Sequence, residues 1–142
     1  CVGGGPTAYV EALMQQAAGL GLTGQLIWAG ARDDMPAVYS ALDISSSSSS
    51  YGEGFSNTIA EAMACGVPCV VTDVGDSALI VGDTGGIIAP GDHGALADAI
   101  QRLTDLPPEQ RREIGEACRA RVVSEFGIDR LVQRTEQALG LA

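Results

Sequence analysis

Two carboxylates set seven residues apart, Glu53 and Glu61, are the best-placed groups in this sequence to do chemistry. Gly54-Phe55-Ser56-Asn57-Thr58-Ile59-Ala60 runs between them, and Ala62-Met63-Ala64-Cys65-Gly66-Val67-Pro68 follows. A carboxylate accepts hydrogen bonds from vicinal hydroxyls, which suits a sugar or a ribose. A helix N-terminus offers free N–H groups and a partial positive charge, which suits a phosphate. Glu53 precedes a Gly-Phe turn, and Glu61 lies inside an apolar-periodic helix start. Carboxylate, helix N-terminus and carboxylate, in that order, have the chemistry to hold a sugar, a diphosphate and a ribose.

Each residue also has a plainer reading. Glu53 could be a solvent-facing turn carboxylate, and Phe55 a core anchor. Thr58-x-x-Glu61 matches a capping box, in which Glu61 folds back onto the Thr58 backbone N–H. The two roles for Glu61 separate by mutation: loss of a cap costs about 1 kcal/mol of stability, whereas loss of a ribose ligand weakens nucleotide binding and spares the melting temperature. Arg32, in the turn after an apolar segment, is either a solvated turn residue or one that stacks on a base or reaches a phosphate.

The elements that must position these groups follow from periodicity. Val2-Gly3-Gly4-Gly5-Pro6 reads as a strand end entering a turn, and Pro6 to Gly19 as a helix with Pro near its start. Gln25 to Ala29 reads as a short strand. Asp33 or Asp34 is expected to cap a helix that carries Met35, Val38, Tyr39 and Leu42 at helical spacing. A strand from Asp43 runs to about Ser48, into a serine run from Ser45 to Ser50. That run is too short, and too tightly placed between strand start and motif, for a linker. A helix from Thr58 to about Cys65 is closed by Gly66 and Pro68. Cys69 to Thr72 is a buried strand, Asp76 to Val81 a helical turn and Gly86 to Ala89 a last strand. Asp92 caps a helix with Leu96, Ala99, Ile100 and Leu103 on one face. A charged helix then runs past Pro107 and Pro108 to about Glu125, and a final one spans about 128 to 139. Alternating strands and helices predict an α/β fold with a parallel sheet flanked by helices. Asp73 and Asp76 flank Gly75 at a strand end and read as turn and cap residues.

Length and composition narrow the function classes. The 142 residues suit one domain, 1–142, with an apolar fraction of 46% that supports a globular core. The net charge of −10 argues against a nucleic-acid or anionic-membrane face. All eight basic residues are Arg. No apolar run approaches the roughly 18 residues of a membrane span. Cys65 and Cys69 have no second Cys or His pair after them, and His93 stands alone, so no zinc site is expected. Reduced, buried thiols and a cytoplasmic setting are the expectation. Gly3-Gly4-Gly5 lacks the acidic residue about 20 positions on that a dinucleotide loop requires; Trp28-Ala29-Gly30 occupies that place.

The ordered set Glu53-Gly54-Phe55, Glu61-Ala62-Met63-Ala64, Gly66 and Pro68 resembles the motif of the C-terminal, donor-binding domain of retaining GT-B glycosyltransferases of family 4. Val70 to Gly75, Gly85 to Ile88 and Pro90-Gly91-Asp92 match in order, and the similarity covers nearly all of the chain. The resemblance implies a Rossmann-like sheet forming the C-terminal half of a GT-B fold. It implies that Glu53 meets donor-sugar hydroxyls or steadies charge near the anomeric carbon. The backbone N–H groups of Gly54 and Phe55 would point at the sugar, Ser56, Asn57 and Thr58 would open the phosphate-binding helix, and Glu61 would take the ribose hydroxyls. The turn from Gly30 to Met35, with Arg32, would wall the nucleobase.

The parent would transfer a sugar from a nucleoside diphosphate to an acceptor (saccharide, lipid or small molecule) with retention and without a cofactor. A GT-B UDP-sugar epimerase or a non-catalytic nucleotide-sugar-binding domain are the alternatives. In such enzymes an earlier strand and helix carry an Arg and a Lys that grip the diphosphate. This chain starts after them, at Cys1 rather than Met, and so reads as a piece of a longer protein, inactive alone; peripheral membrane contact would belong to that parent. An absent central strand would leave sheet edges open to self-association. A monomer by light scattering at high concentration, with one sharp melting transition, is the result that would refute it.

Overall fold

The computed structural model describes residues 1–141, arranged as two compact units, Cys1–Met35 and Pro36–Ala142. In the first, helix α1 spans Thr7–Gly19. Pro6 precedes it at φ −53°, a backbone preset for helix entry. The segment expected as a strand, Gln25 to Ala29, forms no regular strand. It does run beside the first residues, with Cys1 N donating to Ile27 O at 2.7 Å, Ala29 N to Cys1 O at 2.9 Å and Gly3 N to Gly30 O at 2.9 Å. Three hydrogen bonds of parallel character persist, but the ladder is too short to regularise. Arg32 lies in this unit. Its guanidinium grips Asp34 through two bonds, Nε to Oδ1 at 2.7 Å and Nη2 to Oδ2 at 2.5 Å. That bond raises the Arg32 pKa and lowers that of Asp34. The Asp34 carboxylate expected to cap the next helix is thereby engaged with Arg32.

The second unit is a parallel α/β layer. Helix α2, Met35–Ser40, leads into strand β1, Ser45–Ser47; α3, Asn57–Ala64, is followed by β2, Cys69–Thr72. Then come α4, Ser77–Val81, β3, Gly86–Ile88, and the helices α5, His93–Asp105, α6, Pro108–Phe126, and α7, Ile128–Ala138. The sheet order is β1-β2-β3, all parallel, with Ser46 opposite Val70 and Val71 opposite Ile87. All four β2 residues are buried, as a central parallel strand requires. The Asp92 carboxylate caps α5, accepting from Ala95 N at 2.9 Å. The apolar face of α5 (Ala95, Leu96, Ile100 and Leu103 around buried Ala99) covers Val70 and Ile88.

The serine run is ordered by this sheet. Ser45, Ser47 and Ser49 are half-buried and Ser46, Ser48 and Ser50 exposed, the period of two expected of an extended strand. Cys69 and Cys118 are buried free thiols, and burial pushes the Cys69 thiol up to about 12. Among the described residues no helix is long and apolar enough to cross a membrane.

Candidate functional site

The motif sits at the C-terminal ends of the parallel strands, the end at which open α/β sheets bind ligands. β1 continues through the serine run into the turn carrying Glu53. Thr72 Oγ1, at the end of β2, donates to Ser49 O at 2.6 Å and ties that extension down. Ser49 Oγ in turn donates to Glu53 Oε1 at 2.6 Å. Glu53 is half-buried, with one carboxylate oxygen held. The next turn is buttressed from behind: Asp76 N donates to Gly54 O at 3.1 Å. Asp76 and Asp73 thus act through their backbone, Asp73 N reaching Ile88 O at 2.8 Å.

The Phe55 side chain packs on Phe126 at the end of α6, with ring centroids 5.5 Å apart and planes at 58°. An aromatic pair of this separation and tilt is a packing contact. The Phe55 ring is 44% exposed, so it is a surface packing contact for the turn and not the core anchor of the plainer reading.

Helix α3 begins at Asn57, one residue earlier than its periodicity predicts. Ser56 is its N-cap, 5% exposed, with φ −81° and ψ 98°. The Ser56 hydroxyl bonds the Thr58 hydroxyl at 3.1 Å and makes no cap bond to the backbone. The first-turn N–H groups of Asn57, Thr58 and Ile59 have no intrahelical acceptor, so the helix start keeps its capacity for an anion.

This register overturns the capping box. Thr58 is the second helical residue, not the cap, and Glu61 lies mid-helix. The Glu61 carboxylate accepts a hydrogen bond from Tyr39 on α2, Oη to Oε2 at 3.1 Å. Glu61 is exposed, whereas its neighbours Ala62 and Met63 are completely buried. Ala62 and Met63 of the motif are core, Ala64 is half-buried, and the helix they anchor presents Glu61 outward.

The structure thus gathers Glu53, Gly54, Phe55, Ser56, Asn57, Thr58 and Glu61 along one turn and the helix start it feeds. Arg32 belongs to the other unit, its guanidinium occupied by Asp34. Sequence reasoning missed the hydroxyl partners of both carboxylates, Ser49 and Tyr39. A signal existed for Tyr39: it lies on the apolar face of α2, and a buried tyrosine hydroxyl needs an acceptor.

A cavity of about 550 Å³ opens elsewhere, lined by Asp83, Thr84, Gly85, Ala99, Arg102 and Ile114 among others. It lies at the N-terminal start of β3, and no residue from Glu53 to Pro68 lines it. Its walls are mainly apolar, and the motif's carboxylates are at the opposite strand ends. Among the described residues no three His, Cys, Asp or Glu side chains converge as a metal site would need.

Residues 1–105 match the family model described as glycosyl transferases group 1. The chain belongs to this family. The group 1 assignment is supported by curated relatives. One is N-acetyl-alpha-D-glucosaminyl L-malate synthase of Bacillus anthracis, 41% identical over 87 residues, which are 59% of this chain and 22% of that protein. Another is the lipopolysaccharide core biosynthesis mannosyltransferase LpsB of Rhizobium meliloti (strain 1021), 39% identical over 105 residues, 71% of this chain and 30% of that one. The group 1 chain therefore spans less than a third of these relatives. Among solved structures, Anabaena HepE in complex with UDP superimposes with a TM-score of 0.88 at 28% identity, covering 99% of this chain and 40% of that one. HepE in complex with UDP-glucose gives 0.86 over the same coverage. The parallel sheet with flanking helices is the fold shared with these neighbours.

Proposed function

We propose that this chain is the donor-binding part of a retaining hexosyltransferase that uses a nucleoside-diphosphate sugar, with UDP as the base-bearing half. The observation that carries this reading is the geometry at α3. A free helix start lies between two carboxylates, each held by one oxygen and each with the other oxygen uncommitted to its hydroxyl partner. The HepE complexes with UDP and UDP-glucose, matched over 99% of this chain, support the choice of nucleotide.

In this reading the diphosphate rests on the N–H groups at the start of α3, whose partial positive charge stabilises it as it leaves. The backbone of Gly54 and Phe55 faces the sugar, and Glu53 orients its hydroxyls or steadies charge at the anomeric carbon. Glu61 binds the ribose diol. The acceptor oxygen attacks from the face the diphosphate leaves, so the configuration is kept. No resident cofactor has a role here. The acceptor is a saccharide, lipid or small molecule, and its site lies outside this chain, in a protein that works in the cytoplasm.

Calorimetric titration of UDP, GDP and ADP tests the donor reading. UDP is expected to bind, and Glu61→Ala to weaken it about tenfold, the worth of a hydrogen bond to a charged group, while also costing about 1 kcal/mol of stability because the buried Tyr39 hydroxyl loses its acceptor. A folded chain that takes up none of the three nucleotides would refute it.

A further inference from the structure

We propose that Tyr39 is a positioning residue for Glu61: its hydroxyl holds one carboxylate oxygen and leaves the other aimed outward for a ribose diol. The inference rests on the donor reading above and assigns a role to a residue outside the motif.

Tyr39 is 5% exposed and fixed on α2, whereas Glu61 stands on the exposed face of α3. The bond between them, 3.1 Å from Oη to Oε2, spans 22 residues of sequence. A glutamate on an open helix face samples several rotamers, and a ligand that needs one of them must stop that motion. A buried phenol ends it beforehand, because its own ring is immobilised by packing. The phenol can only donate to a carboxylate, so the bond defines which oxygen is occupied. Burial and the Glu61 bond push the Tyr39 pKa up to about 12. The hydroxyl therefore keeps its proton, and its role as donor, throughout the neutral range. The second carboxylate shows the same device, with Ser49 holding Glu53 Oε1 at 2.6 Å.

Tyr39→Phe keeps the ring and its packing and deletes only the donor. It is expected to weaken UDP about three- to tenfold, the range of one ordinary hydrogen bond. Binding of the 2′,3′-dideoxy analogue, which offers Glu61 no diol, should be unchanged. In a Glu61→Ala background, Tyr39→Phe should have no further effect on UDP. A purely structural tyrosine would weaken UDP and the dideoxy analogue alike, and that result overturns the proposal, as does unaltered UDP affinity. If Glu61→Ala weakens UDP and the dideoxy analogue by the same factor, the ribose reading of Glu61 is what fails, and the positioning role falls with it.

Discussion

Gly75→Ala is expected to remove donor binding and to destabilise the chain by about 2–4 kcal/mol. Gly75 has φ +57°, in the left-handed region where an added Cβ costs about 1 kcal/mol or more. The space is also taken. A Cβ there would lie 2.5 Å from Glu53 O and 2.7 Å from Gly54 O. Both are backbone atoms, so no side-chain rotation relieves the overlap, and overpacking of this kind adds about 1–3 kcal/mol. The turn that must yield is the one carrying Glu53. Its displacement would break the 2.6 Å bond from Ser49 and the support Gly54 O receives from Asp76 N at 3.1 Å. Gly91→Ala is the control: it shares the left-handed backbone, at φ +82°, but a Cβ there meets nothing within 4 Å. It should lose only the strain component and bind UDP normally. Denaturant midpoints and UDP titration of both variants decide the matter. If Gly75→Ala binds UDP as the parent does, the turn does not have the part assigned to it.

Gly115→Ala should also destabilise, by about 3 kcal/mol, against the direction that helix propensity predicts. Gly115 lies within α6, and Gly-to-Ala inside a helix ordinarily stabilises by about 1 kcal/mol. Here α6 packs on α3, and a Cβ on Gly115 would overlap the Gly66 carbonyl oxygen directly. Gly66 ends the helix-turn of the motif with φ +77°, and Pro68 Cδ stands 3.5 Å from the same point. To admit one methyl group α6 must move off the Gly66 turn that ends α3, loosening the contact between the two helices. Gly94→Ala in α5, whose Cβ would meet only Asp92 Oδ1 at 3.6 Å, should be near neutral. Equilibrium unfolding in urea separates the two outcomes: a Gly115→Ala variant as stable as the parent would mean that the helices are not in the close approach described.

Where the sequence was legible, the signal was local. β2 is the run Cys69-Val70-Val71-Thr72 because β-branched residues without polar alternation suit a buried parallel strand. α5 was readable from the Asp92 cap and a single apolar face, and both are present. α6 and α7 fall within a residue or so of their expected bounds because Pro107, Pro108 and Gly127 punctuate them. The Gln25 to Ala29 strand was misjudged because regular pairing depends on a neighbour of sufficient length, which apolar patterning does not supply.

The capping box failed for a related reason. Ser56, Asn57 and Thr58 can each begin a helix, and the choice fell to Ser56, whose burial and extended backbone are set by the turn before it. Side-chain partners were less legible still. Tyr39 and Glu61 are 22 residues apart, and Thr72 reaches Ser49 across the sheet from 23 residues away. Pairings of this kind depend on how elements dock, which no spacing within one element encodes.

By itself, then, the sequence determined the order of helices and strands from Met35 onward, the parallel α/β class and the motif between Glu53 and Glu61, because each is written in neighbouring residues or in a short period. The tertiary structure decided which hydroxyl holds each carboxylate, where α3 begins and why Gly75 and Gly115 have no room for a side chain. Those features arise where segments distant in the chain meet at van der Waals distance, and only the packed fold brings them there.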